Sequence, residues 1–171
     1  MEKDIIFADL DGTLIDTLSG FTFPQGIWDM RFNFNVLDKI KECKPKCLLI
    51  VTNQGGIEKG FVDEENFRFK CEYVRRSISE YTGIETRFEY CKSNDVSCED
   101  RKPNTGMLSW LLHEVKMRGI VDESITKDKM LMIGDASGKE GQFSDSDKKC
   151  AENFGIDYID VVDFVSLGFL L

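Results

Sequence analysis

Apolar residues fall along this chain in two kinds of block. Five short runs look like strands, at residues 4–8, 47–52, 86–90, 130–133 and 157–161, the first, second and fourth of them apolar almost throughout. Runs of that length predict strands buried on both faces. Between them the apolar positions spread to helical spacing. Over 63–82, Phe67, Cys71, Val74, Ile78 and Tyr81 follow alternating steps of four and three, which is one face of a helix. Asp63, Glu64 and Glu65 suit its start, where carboxylates meet free N–H groups. A second helix is predicted over 104–117 with Leu108, Leu111, Leu112 and Val115 inward, and shorter ones over 35–42 and 145–153. Strands alternating with helices predict an α/β fold, a central parallel sheet covered on both faces. No repeat, low-complexity tract or linker interrupts the pattern, so 1–171 is read as one domain.

That architecture decides where chemistry is expected. Ligands of such sheets bind outside the carboxyl ends of the strands. Asp9 follows the first strand, Thr52 ends the second, Asp135 follows the fourth, and Lys102 is expected to open the helix after the third. Each residue alone has a bland reading as a solvated turn, a strand end or a surface lysine. Their arrival at one edge in this order is what marks a site. A carboxylate at Asp9 can attack phosphorus and divide ester hydrolysis into two easier steps. Asp11, two residues on, can protonate the leaving alkoxide and then deprotonate water. Magnesium takes oxygen ligands, and Asp9, Asp135 and the Asp11 main-chain carbonyl could supply them. Thr52 and Asn53 can donate to phosphoryl oxygens, and Lys102 provides a point charge. The stretch Gly134-Asp-Ala-Ser-Gly138-Lys139-Glu140 is one residue short of a nucleotide-binding loop and carries Glu where Ser or Thr is needed, so no ATP site is read there.

The motifs Asp9-Leu-Asp11-Gly-Thr13, Thr52, Lys102 and Gly134-Asp135 together resemble the haloacid dehalogenase superfamily of phosphohydrolases. Within it the chain looks most like the polynucleotide 3'-phosphatase branch. The likeness runs through Ser19-Gly20, Phe23-Pro24, Trp28-Asp29, Thr52-Asn53-Gln54 and Arg101-Lys102-Pro103, then Gly134 to Gly138 and Phe143 to Gly155. It implies a Rossmann-like fold without a separate cap domain, Mg2+ as cofactor, and an aspartyl-phosphate on Asp9. It also implies substrate contacts from Thr52, Asn53 and Arg101. The second acid of the last motif is carried over to Asp147, with Asp145 as its competitor, and would orient Lys102 or the metal shell. The expected substrate is a nucleic-acid 3' end, with any 5'-kinase or ligase step left to a separate partner.

Composition refines this picture. With 42% hydrophobic and 31% charged residues, no apolar run near the length of a bilayer span and no signal-peptide pattern after Met1, a soluble protein is expected, cytoplasmic or nuclear, not secreted. Six cysteines without a framework spacing are expected to be reduced. Zinc is not expected, since only Cys91 and Cys98 precede Lys102 and the sole histidine, His113, lies downstream. A net charge of −9 lowers the weight of a duplex binder without removing a local basic rim. Phe21, Phe23, Trp28 and Phe32 in a flap over 14–33 can stack on bases or simply hold the flap. Two alternatives stand beside the nucleic-acid reading. One is a small-molecule phosphatase of the histidinol-phosphate or heptose-bisphosphate type; the other is a phospho-accepting signalling module, against which Asp11 counts.

Overall fold

The five buried runs do form strands, and the computed structural model shows how they assemble; it describes residues 2–21 and 24–167. β1 (Ile5–Ala8) leads to a short antiparallel pair, β2 (Ile15–Asp16) and β3 (Arg31–Phe32). Helix α1 (Phe34–Cys43) returns the chain to β4 (Cys47–Asn53). Helices α2 (Gly55–Glu58) and α3 (Glu64–Thr82) precede β5 (Glu85–Cys91). Then come α4 (Gly106–Met117), β6 (Met130–Gly134), α5 (Ser146–Phe154), β7 (Asp157–Asp160) and α6 (Val161–Ser166). The sheet order is β5-β4-β1-β6-β7, parallel throughout.

Register explains why the three central strands read as unbroken apolar runs, while the edge strands β5 and β7 mix in charged residues. Ile6 lies beside Leu48 on one neighbour and Leu131 on the other, and these side chains share a face. With Ala8, Ile50 and Ile133 they pack under α1, α3 and α6. The alternate residues Ile5, Phe7, Leu49, Val51 and Met132 point the other way, under α4 and α5. Both faces are therefore covered, as parallel sheets require. The winding reverses at β1, with β4 and β5 laid down on one side and β6 and β7 on the other. The carboxyl ends near β1 thus flank the crevice where ligands of such folds bind.

Details depart from expectation in three places. Asp63 caps α3 by accepting a hydrogen bond from the Asn66 N–H, but Tyr81 does not join the buried stripe. Its hydroxyl donates to Asp38 (2.6 Å), and Thr82 takes the inner place, donating to the Ile78 carbonyl. The stripe therefore ends on a threonine at the last helical turn, where the tyrosine ring is turned out to its Asp38 partner. Leu112 is only half-buried, while Met107 fills the core beside Leu108. Helix α4 starts at Gly106, so Lys102 sits in the loop before it and does not open it. The tightly packed stripe of α3 sets a stability test. Ile78→Ala should cost about 2–5 kcal/mol in urea unfolding, and Tyr81→Ala clearly less; equal costs would contradict this packing.

Candidate active site

The turn after β1 is where the site begins. The Asp9 N–H donates to the Ile133 carbonyl of β6, extending the β1–β6 ladder by one bond. The chain then folds back, with the N–H groups of Leu14 and Ile15 both donating to Leu10 and that of Gly12 donating to Ile15. Gly12 is left-handed at φ 78°, and a Cβ there would stand 2.2 Å from Asp135 Oδ2. Only glycine allows both that turn and the close approach of Asp135. Gly134 serves Asp147 in the same way, since its Cβ would lie 2.3 Å from Asp147 Oδ2.

At the centre stands Lys102. Its Nζ donates to Asp9 Oδ1 (2.6 Å), Asp147 Oδ1 (2.7 Å) and the Val51 carbonyl (2.8 Å), so all three ammonium protons are engaged. Lys102 is 3% exposed and Asp147 1%, and in such surroundings an unpaired charge is costly. Burial alone would lower the lysine's pKa, but Asp147 and Asp9 outweigh it and hold it raised. Asp9 goes the other way for a carboxylate: burial raises its pKa, with Asp147 and Asp135 adding to the rise against Lys102. Asp135 is pushed up to about 6 by burial and then by Asp147.

The loops that deliver these groups are pinned by specific bonds. Asn53 and Lys102 exchange a reciprocal pair, Asn53 Nδ2 to the Lys102 carbonyl and the Lys102 N–H to Asn53 Oδ1, both 3.0 Å. Asn53, expected to touch substrate, fixes the lysine's backbone in this way. Arg101 likewise donates to the Ser93 carbonyl (2.7 Å), holding the loop that carries Lys102. Asp147 accepts from the Ala136 N–H through its second oxygen. Asp145 is half exposed and paired with Lys149, so the structure puts Asp147, not its competitor, beside the lysine.

Two residues join the site that the motifs did not assign. Gln54 donates to Asp11 Oδ2 (2.8 Å) and Thr52 Oγ1 (2.9 Å), tying the expected acid–base group to the threonine. Lys70 of α3 is buried with its Nζ 3.9 Å from Asp11 Oδ1. Its signal was present in the sequence. Position 70 falls on the apolar stripe between Phe67 and Cys71, a cost no solvated lysine would bear. In the flap, buried Asp29 accepts from both Ser19 groups and the Gln25 N–H, and these bonds, Ser19's hydroxyl first, lower its pKa to about 2. Phe32 packs against Phe34 and Tyr73, whereas Phe21 and Trp28 are exposed; Phe23 lies outside the described residues.

A divalent cation fits this arrangement. Carboxylate oxygens of Asp9, Asp135 and Asp147 lie within 4.8 Å of one another. Asp147 is already saturated by Lys102 and Ala136, but Asp135 Oδ1 is buried with no partner. An orphaned carboxylate oxygen beside a crowded Asp9 is what a hard cation would satisfy. The Asp11 side chain is outside that cluster, facing Gln54 and Lys70.

Comparison with known proteins gives a family and a fold. The family model described as polynucleotide kinase 3 phosphatase matches residues 4–164. The bifunctional polynucleotide phosphatase/kinase of Schizosaccharomyces pombe is 32% identical over 91% of this chain, which spans 36% of that protein. The D-glycero-beta-D-manno-heptose-1,7-bisphosphate 7-phosphatase of Haemophilus influenzae is 31% identical over 76% of the chain and 70% of its own length. Among solved structures, the D,D-heptose 1,7-bisphosphate phosphatase of B. bronchiseptica, complexed with magnesium and phosphate, covers the whole chain and 89% of its own at TM-score 0.65 and 19% identity. That likeness extends to the fold. Among the described residues no helix is long and apolar enough to cross a membrane.

The orphaned oxygen sets a test that needs no turnover. Mg2+ should raise the unfolding midpoint, by about 2.7 kcal/mol in stability at a hundredfold excess over its Kd. Asp135→Asn should remove that gain and Asp145→Asn should keep it; a gain surviving in Asp135→Asn would place the ion elsewhere.

Proposed function

The chain belongs to the polynucleotide kinase 3 phosphatase family of haloacid dehalogenase-type phosphatases, and from that premise we propose that it removes 3'-phosphates from polynucleotide ends with Mg2+ as cofactor. The buried Asp9–Lys102–Asp147 cluster with Asp11 two residues beyond the first acid carries the phosphatase chemistry of this reading, and the family match over residues 4–164 supports its substrate. Lys102 engages one oxygen of Asp9 and leaves the other for attack. That oxygen forms a bond to phosphorus as the bond to the 3'-oxygen breaks, and Asp11 gives the leaving alkoxide its proton. Asp11 then takes a proton from water, whose oxygen displaces Asp9 and frees phosphate. Gln54 and Lys70 hold Asp11 at the mouth, where both leaving group and water must pass. Bound between Asp9 and Asp135, Mg2+ would neutralise phosphoryl charge. With four carboxylates (Asp9, Asp11, Asp135, Asp147) against two ammonium groups, a fully ionised site lacks the charge one divalent ion brings.

The heptose-bisphosphate relative supports a second reading, a sugar-phosphate phosphatase using the same core. Its hydrolytic steps would be identical, so the two readings separate on substrate alone. Incubated with Mg2+, a 3'-phosphorylated oligonucleotide should be turned over faster than heptose or other sugar phosphates; turnover confined to sugars would remove the nucleic-acid assignment. Asp9→Asn should abolish release of phosphate from either class, and Asp11→Asn should slow it about 10²–10⁴-fold. Wild-type rates in either variant would refute the role given to that residue.

A further inference from the structure

Asp11 marks the side on which the leaving alcohol must sit, because a proton donor has to reach the oxygen it protonates. On that side a groove of about 360 Å³ opens between the flap and the outer face of α3. Trp28 and Met30 line it from the flap, Phe69 and Tyr73 from α3, and Lys70 reaches from it toward Asp11. Three of these rings are mostly solvent-exposed, Trp28 at 72%, Phe69 at 69% and Tyr73 at 56%. Phe69 and Tyr73 stand four residues apart, so their side chains are neighbours on one helix face. The Trp28 ring lies across Gly26, where a Cβ would meet it at 2.2 Å, so a side chain there would push it aside. Three largely exposed rings thus line one groove, and its lysine is the group that approaches Asp11.

We infer that this groove is the subsite for the base of the nucleotide that carries the 3'-phosphate. The occupant's chemistry follows from the lining. Flat aromatic walls suit a base, which offers a π-face regardless of its identity. A heptose bisphosphate would bring hydroxyls and a second phosphate, and among the described residues Lys70, already facing Asp11, is the only charged group on the lining. The position of Lys70 also fixes polarity, setting a positive charge at the inner end where the phosphate ester lies. Volume agrees, since the groove sits at the small end of ligand pockets and takes one ring system, not a duplex. This subsite rests on the proposed 3'-phosphatase reading and specifies which part of the substrate confers affinity.

The experiment compares two oligonucleotides ending in 3'-phosphate, identical except that one lacks the base on its last nucleotide. With wild-type protein and Mg2+, kcat/KM should favour the base-bearing end by at least about fivefold, carried mainly in KM. That ratio should fall toward one in Trp28→Ala and in Tyr73→Ala, two exposed positions whose folding is checked by circular dichroism. A wild-type ratio near one overturns the subsite while turnover of both oligonucleotides leaves the 3'-phosphatase reading standing. An unchanged ratio in both variants also overturns it. If neither oligonucleotide is cleaved but heptose bisphosphate is, the reading fails and the subsite with it.

Discussion

A single buried ammonium holds this site together. Lys102 Nζ links Asp9 after β1, Val51 within β4 and Asp147 at the start of α5, so three separate segments meet on one group. Removing one partner from such a buried pair leaves an uncompensated charge, which is far more costly than losing an exposed salt bridge. The surroundings are arranged to keep the contact. Asn53 clamps the lysine's backbone from both sides, and Gly134 leaves the space that Asp147 occupies. Even so, one ammonium cannot neutralise three acids. Burial is the largest cause of the raised pKa values of Asp9 and Asp135, with the neighbouring acids adding to it, and a cation held by these carboxylates would oppose the rise.

The sheet makes this contact possible without strain. Parallel strands bring all their carboxyl ends to one edge, and the reversal of winding at β1 separates the loops on either side of Asp9. The acids and the lysine therefore converge from segments far apart in sequence, Lys102 and Asp9 being 93 residues apart. Asp11, by contrast, is held by Gln54 and Lys70, away from the metal-side cluster. The two carboxylates are thus given different surroundings, Asp9 against Lys102 and Asp11 against Gln54 and Lys70, as the separate roles proposed for them require.

Much of this was legible in the residues. The central strands were, because burial on both faces leaves near-continuous apolar runs, and Asp9, Thr52 and Asp135 could be placed at strand ends, whereas Lys102 arrives from a loop and not from a helix start. What escaped was set by side-chain geometry. Asn53 has the chemistry of a phosphate donor, and nothing in its neighbours tells that Lys102's backbone claims it. Asp145 and Asp147 are both acids in a predicted helix start, two residues apart; which one faces the lysine depends on how α5 is rotated. Tyr81 continued the spacing of the α3 stripe, yet its hydroxyl bonds to Asp38 outside the core and Thr82 is buried in its place. Lys70 could have been found, because a charge on that stripe breaks the local pattern, and such breaks are where function is expected to override packing.

Substrate choice is harder to read for a physical reason. Phosphoryl transfer is stabilised mainly by charge placed around phosphorus, so enzymes acting on sugars and on polynucleotides can share the same acids, lysine and cation. The motifs therefore report the reaction and are silent on the alcohol. Discrimination must come from groups beyond Asp11 that contact only the leaving side. In this chain those groups lie on the flap and on the outer face of α3, outside the motif positions, where Trp28, Phe69 and Tyr73 stay exposed at some cost in solubility. Exposure alone does not distinguish these rings, since Phe61 and Phe143 are more exposed than any of them, but their gathering along one groove is what stacking on a base would use.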